Sequence, residues 1–118
     1  MRGVRGAITV TEDTPEEIIK ATQEMLTALM DKNGFAVDDV ISAIFTVTPD
    51  ITSEFPARSA RLMGWTRVPM ICSQEIPVPG SLARCIRVML HVNTDKSQAE
   101  IKHVYLRGTG ALRPDLAD

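Results

Sequence analysis

Arg87 lies in the middle of Cys85-Ile86-Arg87-Val88-Met89-Leu90-His91-Val92, a stretch that otherwise reads as a buried β-strand. A strand sends successive side chains to opposite faces, so Ile86, Val88, Leu90 and Val92 share an apolar face while Cys85, Arg87, Met89 and His91 share the other. A guanidinium stays charged inside a protein, and on a half-buried strand it needs an anion to face. Three other segments can meet it. Cys72-Ser73-Gln74-Glu75 supplies a carboxylate, His103-Val104-Tyr105-Leu106 a phenol, and the apolar stretch Val4-Arg5-Gly6-Ala7-Ile8 a second guanidinium. Two arginines, a tyrosine and one glutamate on separate strands describe a pocket for a small anion that carries a hydroxyl. The alternative is a buried ion pair of Arg87 with Glu75 or Asp50. The pocket is the better account, because the cations outnumber the one suitable acidic partner.

Other chemistries have weaker support. Cys72 could serve as a nucleophile with His91 or His103 as its base. Free cysteine is commonly a small hydrophobe, however, and core or pocket wall is the reading taken for it. Two histidines and two cysteines without C-x-x-C or H-x-x-x-H spacing match no common ligand pattern, so no metal and no cofactor is expected. Gly3 and Gly6 flank Arg5, and Gly108 and Gly110 flank Thr109, but neither pair has the strand-turn-helix context of a phosphate loop. They are expected to mark bends. His91 and His103 read as surface or hydrogen-bonded structural residues, and Arg2, Arg67, Arg84 and Arg107 as solvated charges.

The elements that must position these residues follow from local pattern. A helix is expected from about Pro15 to Lys32, with Thr14 as its cap, Pro15 in its first position and Glu17 completing a capping box. Ile18, Met25, Leu26 and Leu29 form its apolar stripe, and Asn33-Gly34 is its stop. Val40 to Val47 is a β-branched run ending at the turn Thr48-Pro49-Asp50. A shorter helix follows Phe55-Pro56 and ends at Gly64, with Arg58 and Arg61 on one side. Val68 to Cys72 reads as a strand in which Pro69 must avoid a ladder position. Ser81 to Arg84 is expected to be one helical turn, Cys85 to Val92 a strand, and His103 to Leu106 the last strand. The first strand runs from about Arg5 to Val10. The order β-α-β-α-β-β-β implies an α/β or α+β sheet with helices on one face.

Length and composition set the frame. The chain has 118 residues, 44% hydrophobic and 24% charged, which suits one globular domain spanning 1–118 and leaves no room for a second core. A formal charge of -2 without runs of like charge argues against nucleic-acid and membrane-surface partners. No apolar stretch approaches the ~20 residues that span a bilayer. Two cysteines on separate strands, behind an N-terminus unlike a secretion signal, suggest reduced thiols in a cytoplasm.

Read together, these segments resemble the monofunctional AroH-type chorismate mutases. The resemblance rests on Arg2-Gly3-Val4-Arg5-Gly6-Ala7, Thr48-Pro49-Asp50, Phe55-Pro56-Ala57, Gly64-Trp65 with Val68-Pro69, and Cys72-Ser73-Gln74-Glu75. It continues through Cys85-Ile86-Arg87-Val88-Met89, His103-Val104-Tyr105-Leu106 and Leu112-Arg113-Pro114-Asp115-Leu116, so that it covers essentially the whole chain. It implies an α+β chorismate-mutase-like domain, with a mixed sheet and helices on one face, assembled as a trimeric pseudo-barrel with active sites between subunits. It also implies the rearrangement of chorismate to prephenate, on the route to phenylalanine and tyrosine. Arg5, Cys72, Glu75, Arg87 and Tyr105 match the family's active-site positions. Phe55, Ala57, Arg58 and Arg61 match positions given by a neighbouring subunit, Ile71 counts with the substrate-binding positions, and Leu112 and Arg113 match the C-terminal segment near the site. Arg58 stands where some relatives have lysine, and the stretch between Arg61 and Trp65 is one residue shorter than in some members.

The resemblance implies roles as well. Arg87 would donate to the ether oxygen, and Arg5 with Tyr105 would hold a carboxylate. Glu75 would accept from the ring hydroxyl, aided by the Cys72 thiol or nearby backbone, and Phe55 and Leu112 would cover the ring. Two other functions share parts of this pattern. A module that merely holds a carboxylate metabolite could use Arg5 and Tyr105, and an enamine or imine deaminase could share the trimeric architecture.

Overall fold

The computed structural model describes residues 1–112; Arg113 lies outside the described residues. The chain forms β1 (Arg2–Thr9), α1 (Pro15–Asn33), β2 (Val40–Val47), α2 (Pro56–Leu62), β3 (Met70–Gln74), β4 (Cys85–Val92) and β5 (Val104–Tyr105). Short 3₁₀ turns occupy Val37–Asp39, Gln98–Glu100 and Thr109–Leu112. One mixed sheet has the order β3-β2-β4-β1-β5. Strand β4 runs antiparallel to both β1 and β2, whereas β5 is parallel to β1 and β3 parallel to β2.

Helix α1 forms where its caps place it. The Thr14 hydroxyl accepts from the Glu17 amide at 3.3 Å, Pro15 needs no donor in the first turn, and Gly34 ends the helix at φ 67°. Its apolar stripe of Ile18, Met25, Leu26 and Leu29 packs on the sheet. Close approach depends on Gly6: a Cβ there would lie 2.8 Å from Leu29 Cδ1 and 3.1 Å from Met25 Cγ. Gly3 and Gly6 therefore do not mark bends. They sit inside β1, and Gly6 admits the helix, whereas Gly108, at φ 82°, does turn the chain.

Trp65, Phe45, Ile8, Ile86, Leu90 and Val4 are fully buried between the sheet and the two helices. The alternation expected of Cys85–Val92 holds from Ile86 to Val92, while Cys85, on the face of Arg87, is buried as well. Strand β3 starts two residues later than Val68, and Pro69 lies outside it, giving only its carbonyl to the Ala43 amide at 3.0 Å. Ser81–Arg84 is not helical. Ser81 closes a turn onto the Val78 carbonyl, and the Asp50 carboxylate grips the Arg84 amide at 2.9 and 3.1 Å while Arg84 takes φ 47°. A carboxylate from another loop thus outcompetes the local helical hydrogen bond.

Candidate active site

Register brings the chemistry-bearing residues into one row. Ser73 pairs with Thr46, Thr46 with Arg87, Arg87 with Ala7, and Ala7 with Tyr105. Paired residues point to the same face, so this row crosses all five strands on the face away from the helices. Arg5 precedes Ala7 by two residues along β1 on that face. A cavity of about 240 Å³ has Arg5, Thr46, Glu75, Arg87 and Tyr105 in its wall. Four residues expected to converge do converge.

Glu75 follows β3, its amide bonded to the Val47 carbonyl at 2.8 Å, and its Oε2 accepts from the Thr46 hydroxyl. Arg87 Nη1 stands 3.6 Å from the same Oε2, with the two side chains 33% and 25% exposed. The ion pair weighed against the pocket is therefore present, but as a loose contact in the cavity wall. It is no sealed core pair. Asp50 is engaged elsewhere, by Arg84 and by the Thr48 hydroxyl. The Tyr105 hydroxyl is buried and has no hydrogen-bond partner among the described residues. A buried orphan of this kind costs free energy unless a ligand satisfies it.

Both histidines hold structure. The Arg5 amide donates to His103 Nδ1 at 3.0 Å, extending the short β1–β5 seam, and His91 Nδ1 lies 2.9 Å from the Ser42 hydroxyl. The arginines expected to be solvated are in part engaged. Arg107 pairs with Glu17 and Glu24, Arg84 donates to the Val10 carbonyl, and Arg2 donates to the Lys96 carbonyl.

Cys72 does not join the row. It pairs with Phe45, a fully buried residue, so its thiol faces the helix layer. It packs on the core and lines a separate cavity of about 420 Å³. His91 is on the opposite face, so no Cys72–His91 pair forms. Cys85 is buried at the start of β4, and burial pushes its thiol up to about 11 against the pull of the Arg87 guanidinium. Among the described residues, no cluster of three or more His, Cys, Asp or Glu is arranged to hold a metal ion.

The residues expected from a neighbour lie apart from the cavity. Phe55 stands 68% exposed before α2. Arg58 pairs with Glu54 at 3.3 Å, and Arg61 is exposed in the last turn. Ala57 is buried in the core, so its side chain is a packing residue. Ile71 is exposed on β3, and Leu112 lines a third cavity, of about 310 Å³, which shares Glu75 and Arg87 with the first. Thr46 was not among the expected site residues. Alternation along Val40–Val47 marks it, since Ser42, Ile44 and Thr46 share the face away from Ala43 and Phe45.

Comparison with known proteins places the chain in a family. The family model described as chorismate mutase type I matches residues 1–116. The chain belongs to the type I chorismate mutase family. It is similar to chorismate mutase AroH of Thermus thermophilus, at 53% identity over 98% of this chain and 96% of the relative. Chorismate mutase AroH of Bacillus subtilis (strain 168) is 46% identical over 99% of this chain and 93% of its own length. In three dimensions the chain resembles a chorismate mutase from Clostridium thermocellum, with a TM-score of 0.92 and 53% identity over 94% of this chain and 99% of that one.

Proposed function

We propose that the protein is a chorismate mutase that rearranges chorismate to prephenate in the cavity walled by Arg5, Glu75, Arg87 and Tyr105. The observation that carries this reading is their convergence, with the buried, unpartnered Tyr105 hydroxyl, in a chain of this family. Chorismate presents two carboxylates, a ring hydroxyl and an enolpyruvyl ether. Its rearrangement breaks one C–O bond while a C–C bond forms, and no proton is transferred. The site must select the folded conformer and stabilise the negative charge that grows on the ether oxygen.

Arg87 is the donor to that oxygen, a fixed cation on a rigid central strand. Arg5 and Tyr105, on adjacent parallel strands, hold a carboxylate between a guanidinium fork and a phenol. Glu75 accepts from the ring hydroxyl. At position 72 the backbone is the group available to assist, since the thiol faces the core. An acceleration of ~10⁶ needs ~8 kcal/mol. A charged donor at the ether oxygen supplies about 3–4 kcal/mol, and holding the reactive conformer supplies much of the rest.

The site is completed by assembly. Phe55, Arg58 and Arg61 from a neighbouring protomer cover the ring and attract the dianion, with Leu112 beside the cavity that shares Glu75 and Arg87. A closed homotrimer with three shared sites provides this arrangement. We place the reaction in the cytoplasm, where the free thiols of Cys72 and Cys85 stay reduced. The test follows the loss of chorismate absorbance with purified protein in the presence of a chelator. Conversion to prephenate is expected. Binding of chorismate without turnover would replace this reading with a ligand-holding module.

A further inference from the structure

We propose that Thr46 is a positioning residue for the reaction, its hydroxyl holding the Glu75 carboxylate off Arg87 so that both groups stay available to the substrate. The proposal rests on the roles given above to Glu75 and Arg87.

Thr46 stands directly across from Arg87 in the β2–β4 register. Its hydroxyl donates to Oε2 of Glu75, the same oxygen that Arg87 Nη1 approaches only to 3.6 Å. A charge-assisted pair closes to about 2.7–2.9 Å, and an arginine and a carboxylate with no competing partner form a two-point fork. Here the Thr46 hydroxyl competes for Oε2. The Glu75 amide is fixed on the Val47 carbonyl, so its carboxylate can move only by side-chain rotation. A β-branched threonine on a strand holds its hydroxyl in few directions, which makes it a stiff anchor.

Two consequences follow for catalysis. Oε1 of Glu75 is left to accept from the substrate hydroxyl. Arg87 also keeps its charge and N–H groups for the ether oxygen, because no fork with Glu75 neutralises them. Without the Thr46 hydroxyl, Glu75 would close on Arg87, and this pair would have to open each time charge develops on the oxygen. The loss would fall on the chemical step more than on binding, since Arg5 and Tyr105 hold the substrate carboxylate independently.

The experiment measures kcat and KM for Thr46→Val, Thr46→Ser, Glu75→Gln, Arg87→Ala and the double variant Thr46→Val/Glu75→Gln. Valine keeps the shape and the strand preference of threonine and removes only the hydroxyl. Thr46→Val is expected to lower kcat about tenfold with KM changed much less, and Thr46→Ser to restore most of the loss. In the Glu75→Gln background the valine substitution should add little, because no carboxylate remains to close on Arg87. Should Thr46→Val melt early, Thr46→Ala removes the hydroxyl in its place. Normal kcat in a folded hydroxyl-free variant, or an equal loss with and without Glu75, overturns the role of Thr46. Full turnover in Arg87→Ala instead overturns the reading of the whole site, so the two failures are distinguishable.

Discussion

At the scale of single residues, Arg87 makes the sharpest demand. Its guanidinium is one-third exposed and lies 3.6 Å from Glu75, so removing it leaves no charge sealed in the core. Arg87→Ala should therefore fold and melt near the parent temperature while turnover falls at least ~10³-fold. Arg87→Lys keeps the charge and loses the planar fork, so it should recover only part. Thermal melts with single-turnover kinetics check this; early melting would assign Arg87 to a structural ion pair, and near-normal turnover would remove it from the chemistry. Because no proton moves in the chemical step, kcat should vary little around neutral pH. A bell-shaped kcat profile at saturating substrate would point to acid–base catalysis instead. The sequence made Arg5 and Arg87 legible because a charge in an apolar strand is unusual on its own, and Glu75 and Tyr105 followed as the carboxylate and phenol that other segments could bring to them. Cys72 was harder to place, since its direction depends on pairing with Phe45, and no local pattern encodes that register.

Among the elements, the loop from Thr48 to Phe55 links the row of site residues to α2. It is pinned at both ends. The Thr48 hydroxyl accepts from the Cys85 amide at 2.9 Å, and the Asp13 carboxylate accepts from the amides of Thr52 and Ser53 and from both hydroxyls. The Ser53 hydroxyl is the largest influence on the Asp13 carboxyl; burial, the next largest, opposes it, but the Thr52 amide and hydroxyl and the Ser53 amide add to the Ser53 hydroxyl and hold the carboxyl below its usual range. A depressed folded-state pKa gives stability that is full above the unfolded value and lost as pH falls through the folded one. Asp13→Asn should lower the melting temperature by roughly 2–4 °C at pH 7, and the gap should close below about pH 4. A gap unchanged by acid would mean that the Asp13 charge does not hold the loop. Strands β2 and β4 were readable to the residue, β4 from its alternation and β2 from a β-branched run that stops at the Thr48-Pro49-Asp50 turn, although β2 carries a register irregularity between Val40 and Ser42 that no local pattern marks. Ser81–Arg84 was misread as helical because the grip of Asp50 on Arg84 spans 34 positions of sequence.

For the whole molecule, the governing fact is a slab of 37 × 33 × 20 Å whose second sheet face, among the described residues, has neither α1 nor α2 packed over it. That face carries the row of candidate site residues, and beside it Ile44 and Ile71 are 37% and 62% exposed, while Phe55 is 68% exposed. Apolar surface beside an open ligand cavity is best buried by further copies of the chain, and a cyclic arrangement covers it without leaving open edges. This physics does not fix the number of copies; the homotrimer proposed above takes it as three. The shared-site model then makes a quantitative demand on mixtures. An Arg87→Ala protein lacks one half of every site, and a Phe55→Ala/Arg61→Ala protein lacks the other. Unfolded together and refolded at equal amounts, they form rings of which about three quarters are hybrids with one intact interface each, so about a quarter of all interfaces, and about a quarter of parent activity, should return. Each protein refolded alone should stay poor, and sedimentation equilibrium should report trimers in all three samples. A monomer with full activity, or hybrids no better than their parents, would confine the site to one protomer and leave the exposed Phe55 unexplained.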